Sequence, residues 1–238
     1  MTTYALVLAG GTGARFGAAT PKQLLDLDGR SILEVSAAAL ATAPGVDAVV
    51  IVAHPDCRAV ADEVAQRVPG VVAVVDGGDT RADSTRRGLA AVDAPDDALV
   101  LVHDAARPLV SHRVIADCLA ALRQHDAVTP ALESTDTLLE VDATDRVVAS
   151  PPRDRLRRVQ TPQGFRLGVL RRAHAAAAVD PHAVPTDDVS VVLAHETGAS
   201  VVVVPGEESN LKITRPDDLE RARQILTARR VVGESGDV

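Results

Sequence analysis

The sequence predicts a three-layer α/β fold around a mostly parallel sheet. Short runs rich in Val, Leu and Ala alternate along the chain with amphipathic segments of helical length. Continuous apolar runs such as VVIVA and ALVLV are typical of strands buried on both faces of a parallel sheet. The resulting β-α-β-α order favours a sheet covered by helices on both faces.

Six strands and six helices follow from this pattern. Ser31 and Glu34 have the spacing of a capping box, which predicts the start of the first helix. The predicted strands are Tyr4–Ala9, Ala48–Ala53, Val71–Val75, Ala98–His103, Ala127–Ala131 and Ser200–Val204. The later helices are predicted near Pro55–Val68, Asp83–Val92, His112–His125, Leu167–Ala178 and Pro216–Ala228.

One segment, residues 134–159, interrupts the alternation. Its runs LLEVDA and RVVAS predict a β-hairpin arm that protrudes from a single domain of residues 1–230, and residues 231–238 are expected to form a flexible tail. An isolated ribbon cannot bury its apolar side chains and exposes unpaired strand edges. We therefore expect a homodimer in which the arm is covered by a second copy.

Composition excludes several classes of partner. The 238 residues are 46% hydrophobic, as in globular proteins, but only 1% aromatic, which argues against a stacking surface for single-stranded nucleic acid. A net charge of −8 argues against nucleic acid and anionic membranes. Cys57 and Cys118 form no CxxC motif, and no signal peptide or membrane-length run is visible. We expect buried thiols in a cytoplasmic protein.

The loop after the first strand, LAGGTGARFG, predicts a phosphate site. Gly10, Gly11 and Gly13 let backbone N–H groups approach a phosphate closely, while Arg15 and Lys22 supply positive charge. Glycines with cations at this spacing indicate a nucleoside triphosphate. An ordinary turn with solvated charges is the simpler alternative.

Two other classes of function compete with this interpretation. A dinucleotide-dependent dehydrogenase would need a third glycine where Phe16 stands, and an acidic residue after the second strand, which instead ends in Ala53-His54-Pro55. A non-catalytic nucleotide-sensing module would need the glycine loop but would not need Arg15, Lys22, Arg153 and Lys212 as a set. Bound NAD(H) would support the first, and absence of pyrophosphate release the second.

The next two strand ends add polar candidates. In DGGDTRADS, Gly77 and Gly78 permit close contact with a base, and Ser84 either caps the next helix or binds ligand. In VHDAARP, Asp104 either holds Mg²⁺ bound to triphosphate or serves as a turn residue. Asp104 would lie beside the glycine loop if the first and fourth strands are neighbours. Ala105 and Ala106 would leave room for a ribose, and His103 is expected to be packed inside.

Later segments supply more charge. Arginines at 153, 155, 157 and 158 form either a solvated face or a second anion site, and Thr186, Asp187 and Asp188 could contact a polyol or cap a helix. Two of the 25 basic residues are lysines, Lys22 and Lys212, and the second follows Asn210 after the last strand. An ammonium is a compact point charge that arginine does not reproduce.

The sequence contains no nucleophile–base pair in recognisable spacing and no G-x-S-x-G motif. An ionised phosphate needs no protein base to attack another phosphorus. Such a transfer depends on positioning and on stabilisation of charge by Arg, Lys and Mg²⁺.

Six motifs in this order, AGGTGARFG…PKQ, DGGDTRADS, VHDAARP, VQTPQGF, TDDVS and NLKITRPDDL, resemble the 2-C-methyl-D-erythritol 4-phosphate cytidylyltransferases of non-mevalonate isoprenoid synthesis. The resemblance covers roughly positions 4–228. It implies a Rossmann-like nucleotidyltransferase fold, CTP and Mg²⁺ as requirements, a polyol phosphate acceptor and a homodimer with an extended β-arm.

The resemblance also implies roles for individual residues. Arg15 and Lys22 would stabilise charge on the α-phosphorus, and Arg153 and Lys212 would position the acceptor, with Thr137 and Thr186 in contact with it. The predicted nucleotide-binding set is Ala9, Gly10, Gly11, Gly13, Gly78, Asp79, Ser84, Asp104 and Ala105, with Asp104 also the metal ligand. The first loop departs from the family: LAGG resembles the ribitol 5-phosphate cytidylyltransferases, which makes ribitol 5-phosphate the alternative acceptor.

Overall fold

The computed structural model describes residues 1–10, 21–183 and 185–234, with side chains to residue 229. In these ranges the main sheet has eight strands: β1 (Thr3–Ala9), β4 (Ala48–Ala53), β5 (Val71–Asp76), β6 (Leu99–Asp104), β7 (Ala127–Glu133), β10 (Arg157–Val159), β11 (Gln163–Arg166) and β12 (Val201–Pro205). Two small ribbons pair β2 (Asp26–Leu27) with β3 (Arg30–Ser31), and β8 (Glu140–Val141) with β9 (Val147–Ala149). All six predicted strands are present.

The sheet is parallel at its centre and mixed at one side. β6, β1, β4 and β5 lie side by side and parallel, so the first and fourth predicted strands are neighbours, as the predicted site requires. β11, which the sequence analysis missed, lies antiparallel between β6 and β7. β12 pairs in parallel with β7.

Among the described residues, seven helices accompany the sheet: α1 (Ile32–Ala41), α2 (Arg58–Arg67), α3 (Arg81–Ala90), α4 (His112–Ala121), α5 (Leu167–Ala177), α6 (Asp188–His195) and α7 (Pro216–Glu234). Six were predicted, and α6 was not. Ser31 caps α1 as predicted, since its hydroxyl accepts a hydrogen bond from the Glu34 amide. The last helix continues to Glu234, into the segment that was expected to be a flexible tail.

The two faces of the sheet carry separate apolar cores. Alternate residues of β1 contribute to each: Ala5 and Val7 belong to the core with α1, α2 and α4, and Leu6 and Leu8 to the core with α3, α5 and α6. A third, smaller core joins Leu27 and Ile32 to Ile213, Leu219 and Ala222 near the C-terminus. This arrangement confirms the three-layer α/β fold.

The interrupting segment contains an antiparallel hairpin, β8 with β9, as predicted. It ends earlier than residue 159, because β10 pairs antiparallel with β7 in the main sheet, Arg157 opposite Glu133. Five large apolar side chains of the hairpin region are about half exposed: Leu138, Leu139, Val141, Val147 and Val148.

Cys57 and Cys118 are free and buried, in agreement with the sequence analysis. Within the described ranges no helix is both long and apolar enough to cross a membrane.

Candidate active site

Asp104 is the centre of the candidate site. It ends β6, opposite Leu8 of β1, and the next amide, of Ala105, donates to the Leu8 carbonyl at 3.0 Å. These contacts place the carboxylate beside the point where the glycine loop begins. Lys212 Nζ lies 2.7 Å from one Asp104 oxygen, and Arg81 Nε lies 3.3 Å from the other.

The carboxylate of Asp104 stays ionised in this setting. Burial alone would raise its pKa, but the charges of Arg81 and Lys212 outweigh burial and hold the pKa well below its usual range. The site therefore keeps a negative oxygen between two cations.

Lys22 reaches the same place from the other end of the chain. It begins a short 3-10 helix, Lys22–Leu24, and its ammonium donates a 3.0 Å hydrogen bond to the carbonyl of Ile213. Since Ile213 follows Lys212, the fold brings both lysines of the sequence to one sheet edge. The Ile213 amide in turn donates to the Ala106 carbonyl, which ties this segment to the Asp104 loop.

Arg81 was missed by the sequence analysis. It is the first residue of α3, and its Nη1 lies 2.6 Å from the buried carboxylate of Asp188, the first residue of α6. The other Asp188 oxygen lies 3.0 Å from His174 Nε2. The only available signal was the position of Arg81 within DGGDTRADS, because the sequence contains many arginines.

Three glycines surround the Ser84 hydroxyl. The Gly78 amide donates to Ser84 Oγ at 3.1 Å, and a Cβ on Gly10 or Gly77 would lie 2.8 or 3.2 Å from that oxygen. Of the two roles considered for Ser84, that of helix cap is wrong: Thr80 is the N-cap and forms a capping box with Asp83. Ser84 instead joins the β1 and β5 loops.

A buried polar cluster supports the Asp104 loop. Thr161 Oγ1 accepts from the Asp104 amide at 3.1 Å and lies 3.1 Å from His103 Nδ1, while His103 Nε2 lies 3.0 Å from the Arg107 carbonyl. Burial lowers the pKa of His103 to about 4, so the imidazole is neutral near pH 7. His103 is therefore packed inside, as expected. Asn210 is also fully buried and donates to the Thr161 carbonyl.

The remaining predicted residues lie around this cluster or away from it. Ala9 and Ala105 are fully buried at the ends of β1 and β6, Ala106 is nearly so, and Asp79 is exposed beside Gly78. Thr186 is exposed and precedes Asp187, which caps α6. Gly11, Gly13 and Arg15 lie outside the described residues.

Arg153 and Thr137 are exposed on the arm. The Arg153 guanidinium donates to the Thr135 carbonyl at 3.3 Å, a contact within the arm and not with the Asp104 cluster. The sheet edge thus collects Lys22, Asp104 and Lys212, while the arm carries the other predicted acceptor contacts.

Comparison with known proteins identifies the family of the chain. Residues 3–228 match the family model described as 2-C-methyl-D-erythritol 4-phosphate cytidylyltransferase. The chain is 49% identical to the protein of that name from Thermobifida fusca (93% of this chain, 92% of the relative) and 41% identical to that from Streptomyces coelicolor (96% and 86%).

Solved structures agree with the sequence relatives. The 4-diphosphocytidyl-2C-methyl-D-erythritol synthase from Anaerococcus prevotii superposes with a TM-score of 0.84 at 30% identity, covering 95% of this chain and 98% of that chain. The cytidylyltransferase from Thermus thermophilus gives 0.75 at 33% identity, covering 95% and 100%. The chain therefore belongs to the 2-C-methyl-D-erythritol 4-phosphate cytidylyltransferase family.

Proposed function

We propose that this protein transfers CMP from CTP to 2-C-methyl-D-erythritol 4-phosphate and releases pyrophosphate, a step of isoprenoid biosynthesis. The observation that carries the proposal is the convergence of Lys22 and Lys212 on the Asp104 loop. The two ammonium groups provide local positive charge for phosphate substrates, although the net charge of the protein is negative.

The reaction needs charge stabilisation more than proton transfer. A phosphate oxygen of the acceptor attacks the α-phosphorus of CTP, and the bond from that phosphorus to the pyrophosphate oxygen breaks. Lys22, with Arg15 of the glycine loop, would stabilise the negative charge that develops on the α-phosphoryl oxygens. The acceptor phosphate is already ionised, so the neutral His103 has no proton to remove.

The residues at this edge fit a magnesium ion. Mg²⁺ is usually held by one or two carboxylates together with substrate phosphates, and Asp104 is an ionised carboxylate at the predicted triphosphate position. In the described part of the chain no group of three or more His, Cys, Asp or Glu could hold a metal, so the remaining ligands would be phosphate oxygens and water. When bound, the ion would neutralise charge on the triphosphate.

The acceptor would lie between the sheet edge and an arm. Lys212 sits at the edge, whereas Arg153, Thr137 and the half-exposed valines lie on the arm. We propose that two chains form a homodimer in which the arm of one chain completes the acceptor site of the other. Lys212 and Arg153 would then bind the acceptor phosphate from opposite sides, and Thr137 and Thr186 would contact the polyol.

Pyrophosphate release from CTP tests the proposal directly, with methylerythritol phosphate and ribitol 5-phosphate as parallel acceptors. We expect release with methylerythritol phosphate and at least tenfold lower kcat/KM with ribitol 5-phosphate. The reverse preference would favour the alternative that the LAGG loop suggests, and no release with any polyol phosphate would refute the transferase assignment.

We also infer a cytoplasmic location. The inference is supported by the two buried thiols, Cys57 and Cys118, whose pKa values burial raises to about 11 and about 12 and which therefore remain unreactive. A fluorescent fusion that fractionates with the cell envelope would contradict it.

A further inference from the structure

Five charged or titratable side chains form one continuous chain of contacts below the candidate site. In order they are His174, Asp188, Arg81, Asp104 and Lys212, at successive distances of 3.0, 2.6, 3.3 and 2.7 Å. Each carboxylate uses one oxygen for each neighbour, and Arg81 uses different nitrogens for its two carboxylates. The charges of the last four alternate in sign.

Arg81 is poorly explained as a stabilising residue. Its Nη2 is buried without a hydrogen-bond partner among the described residues, as is Nδ1 of His174 at the far end of the chain. Buried donors without partners cost free energy, and buried ion pairs often stabilise no more than apolar side chains of similar size. Because two nitrogens of the network lack hydrogen-bond partners, stabilising the fold does not account for it, and we infer that it positions a side chain of the site.

The two carboxylate oxygens of Asp104 have different partners, and only one of them lies on the side of Lys212. Arg81 holds Oδ1, and Oδ2 lies against Lys212. If Asp104 holds metal–triphosphate, Oδ2 would be the oxygen available to the metal, and the Lys212 ammonium would then be available to the acceptor phosphate. Oδ1 must stay in place, or the carboxylate would rotate.

Asp188 keeps Arg81 in place. It is fully buried, its backbone amide donates to the Gln163 side-chain carbonyl at 3.1 Å, and its second carboxylate oxygen lies 3.0 Å from His174 Nε2. A guanidinium beside a triphosphate would otherwise move toward the phosphate oxygens and release Asp104. The strong pairing with Asp188 opposes that movement.

We propose that Arg81 and Asp188 are positioning residues that hold Asp104 with Oδ2 directed at the metal and at Lys212. The metal part of this proposal rests on the proposed function. Neither residue touches substrate: each acts through Asp104. Such supporting partners of a metal ligand typically change metal affinity by about 10–100-fold when they are removed.

The test uses two variants and one control. Asp188→Asn removes the anchoring charge at nearly constant shape, and Arg81→Lys keeps the charge but cannot bridge two carboxylates. Glu196→Gln, which removes a carboxylate paired with Arg172 just after α6, is the matched control. We expect both test variants to raise the half-saturating Mg²⁺ concentration at least tenfold, with the acceptor KM within threefold of wild type, and the control to change neither.

A second readout needs no metal and no substrate. Because the chain has only two lysines, ¹³C-dimethylation of lysine gives two side-chain NMR signals besides the amino terminus, and Lys212→Arg assigns one of them. Asp104→Asn must shift the Lys212 signal, since it removes the partner at 2.7 Å. We expect Asp188→Asn and Arg81→Lys to shift the same signal, and Glu196→Gln to leave it in place.

The outcomes separate this proposal from the proposed function. If Asp104→Asn leaves the Mg²⁺ requirement unchanged, the metal role of Asp104 is wrong, and the Lys212 signal still tests the positioning network. If Asp104→Asn changes both readouts but folded Asp188→Asn and Arg81→Lys change neither, the network is merely structural and the proposal is overturned. The proposal is also overturned if Asp188→Asn and Arg81→Lys lower the melting temperature but change neither the Mg²⁺ requirement nor the Lys212 signal.

Discussion

Lys22 donates a 3.0 Å hydrogen bond to the carbonyl of Ile213, a residue 191 positions later in the chain. This contact places the ammonium beside the backbone of the segment that carries Lys212. A backbone carbonyl does not neutralise an ammonium. The contact therefore orients the ammonium of Lys22.

Lys22→Ala should lower kcat by about 10²–10³-fold, because removal of a positioned charge that acts on the transition state typically costs this much. The KM for CTP should change far less. Lys22→Arg should restore little activity, since the planar guanidinium is wider than an ammonium. Steady-state kinetics with varied CTP measures both constants. An unchanged kcat with a raised KM would show that Lys22 only binds the ground state.

Asp104→Asn should raise the Mg²⁺ concentration needed for half-maximal rate, because an amide oxygen lacks the charge that attracts the cation. The variant also loses its ion pair with Lys212. Titration of Mg²⁺ at saturating CTP measures the effect. Full wild-type activity in excess chelator would exclude a metal requirement.

The parallel part of the fold was predictable because its signal is local. Runs such as AVVIVA at Ala48–Ala53 are apolar throughout and are buried throughout in the sheet. β11 was missed because QGFR at Gln163–Arg166 is short and lacks any apolar run, and its place between β6 and β7 is decided by tertiary pairing. Helix α6 was missed because it has only eight residues, several of them β-branched.

The site could be predicted only in part for a similar reason. Lys22 and Lys212 stood out as the two lysines of the sequence and Asp104 as a carboxylate at the end of a predicted strand, and the fold brings the three together. Arg81 and Asp188 are neither rare residue types nor residues at the end of a predicted strand. Their pairing spans 107 positions and depends on where α3 and α6 begin, which no local pattern specifies.

Gly10→Ala and Ser84→Ala should be coupled in their effects on stability. A Cβ on Gly10 would lie 2.8 Å from Ser84 Oγ but 3.6 Å from Ser84 Cβ, so removal of the hydroxyl relieves the overlap. Each single change should cost about 1–3 kcal/mol, Gly10→Ala by overpacking and Ser84→Ala by leaving the Gly78 amide unpaired. The double variant should lose clearly less than the sum. Urea unfolding measures all four free energies, and simple additivity would contradict the predicted contact.

Stability should fall as the pH is lowered from about 6.5 towards 4 because of His103. Burial lowers the pKa of His103 from 6.5 to about 4, so the unfolded chain binds a proton in this window that the folded chain does not. The stabilisation is therefore complete above pH 6.5 and is lost as the pH approaches 4. Asp104 and Asp188 have pKa values held below the ordinary value of 3.8, so the stabilisation that they contribute is lost only below pH 3.8.

Melting temperatures of wild type and His103→Gln across this range test the assignment. The variant should be less stable at pH 7 and should show a smaller decrease between pH 6.5 and 4. Equal decreases in the two proteins would mean that another group controls this window.

Mixing two inactive variants should restore activity if the arm serves the partner chain. Lys22→Ala removes a sheet-edge residue and Arg153→Ala an arm residue. In a mixed dimer one site would then carry both changes and the other neither. With random exchange half the dimers are mixed and half of their sites are intact, so about a quarter of wild-type activity should return. If exchange is verified and activity stays absent, Arg153 acts within its own chain.

The third apolar core has a consequence for synthesis of the protein. It joins Leu27 and Ile32 to Ile213, Leu219 and Ala222, so it cannot form until the segment through Ala222 has left the ribosome. A nascent chain that extends only through α6 already contains Arg81, Asp104 and Asp188 but has neither Lys212 nor the carbonyl that orients Lys22. A chain that stops after α6 should therefore lack both the Lys22–Ile213 contact and the Lys212–Asp104 ion pair of the proposed site.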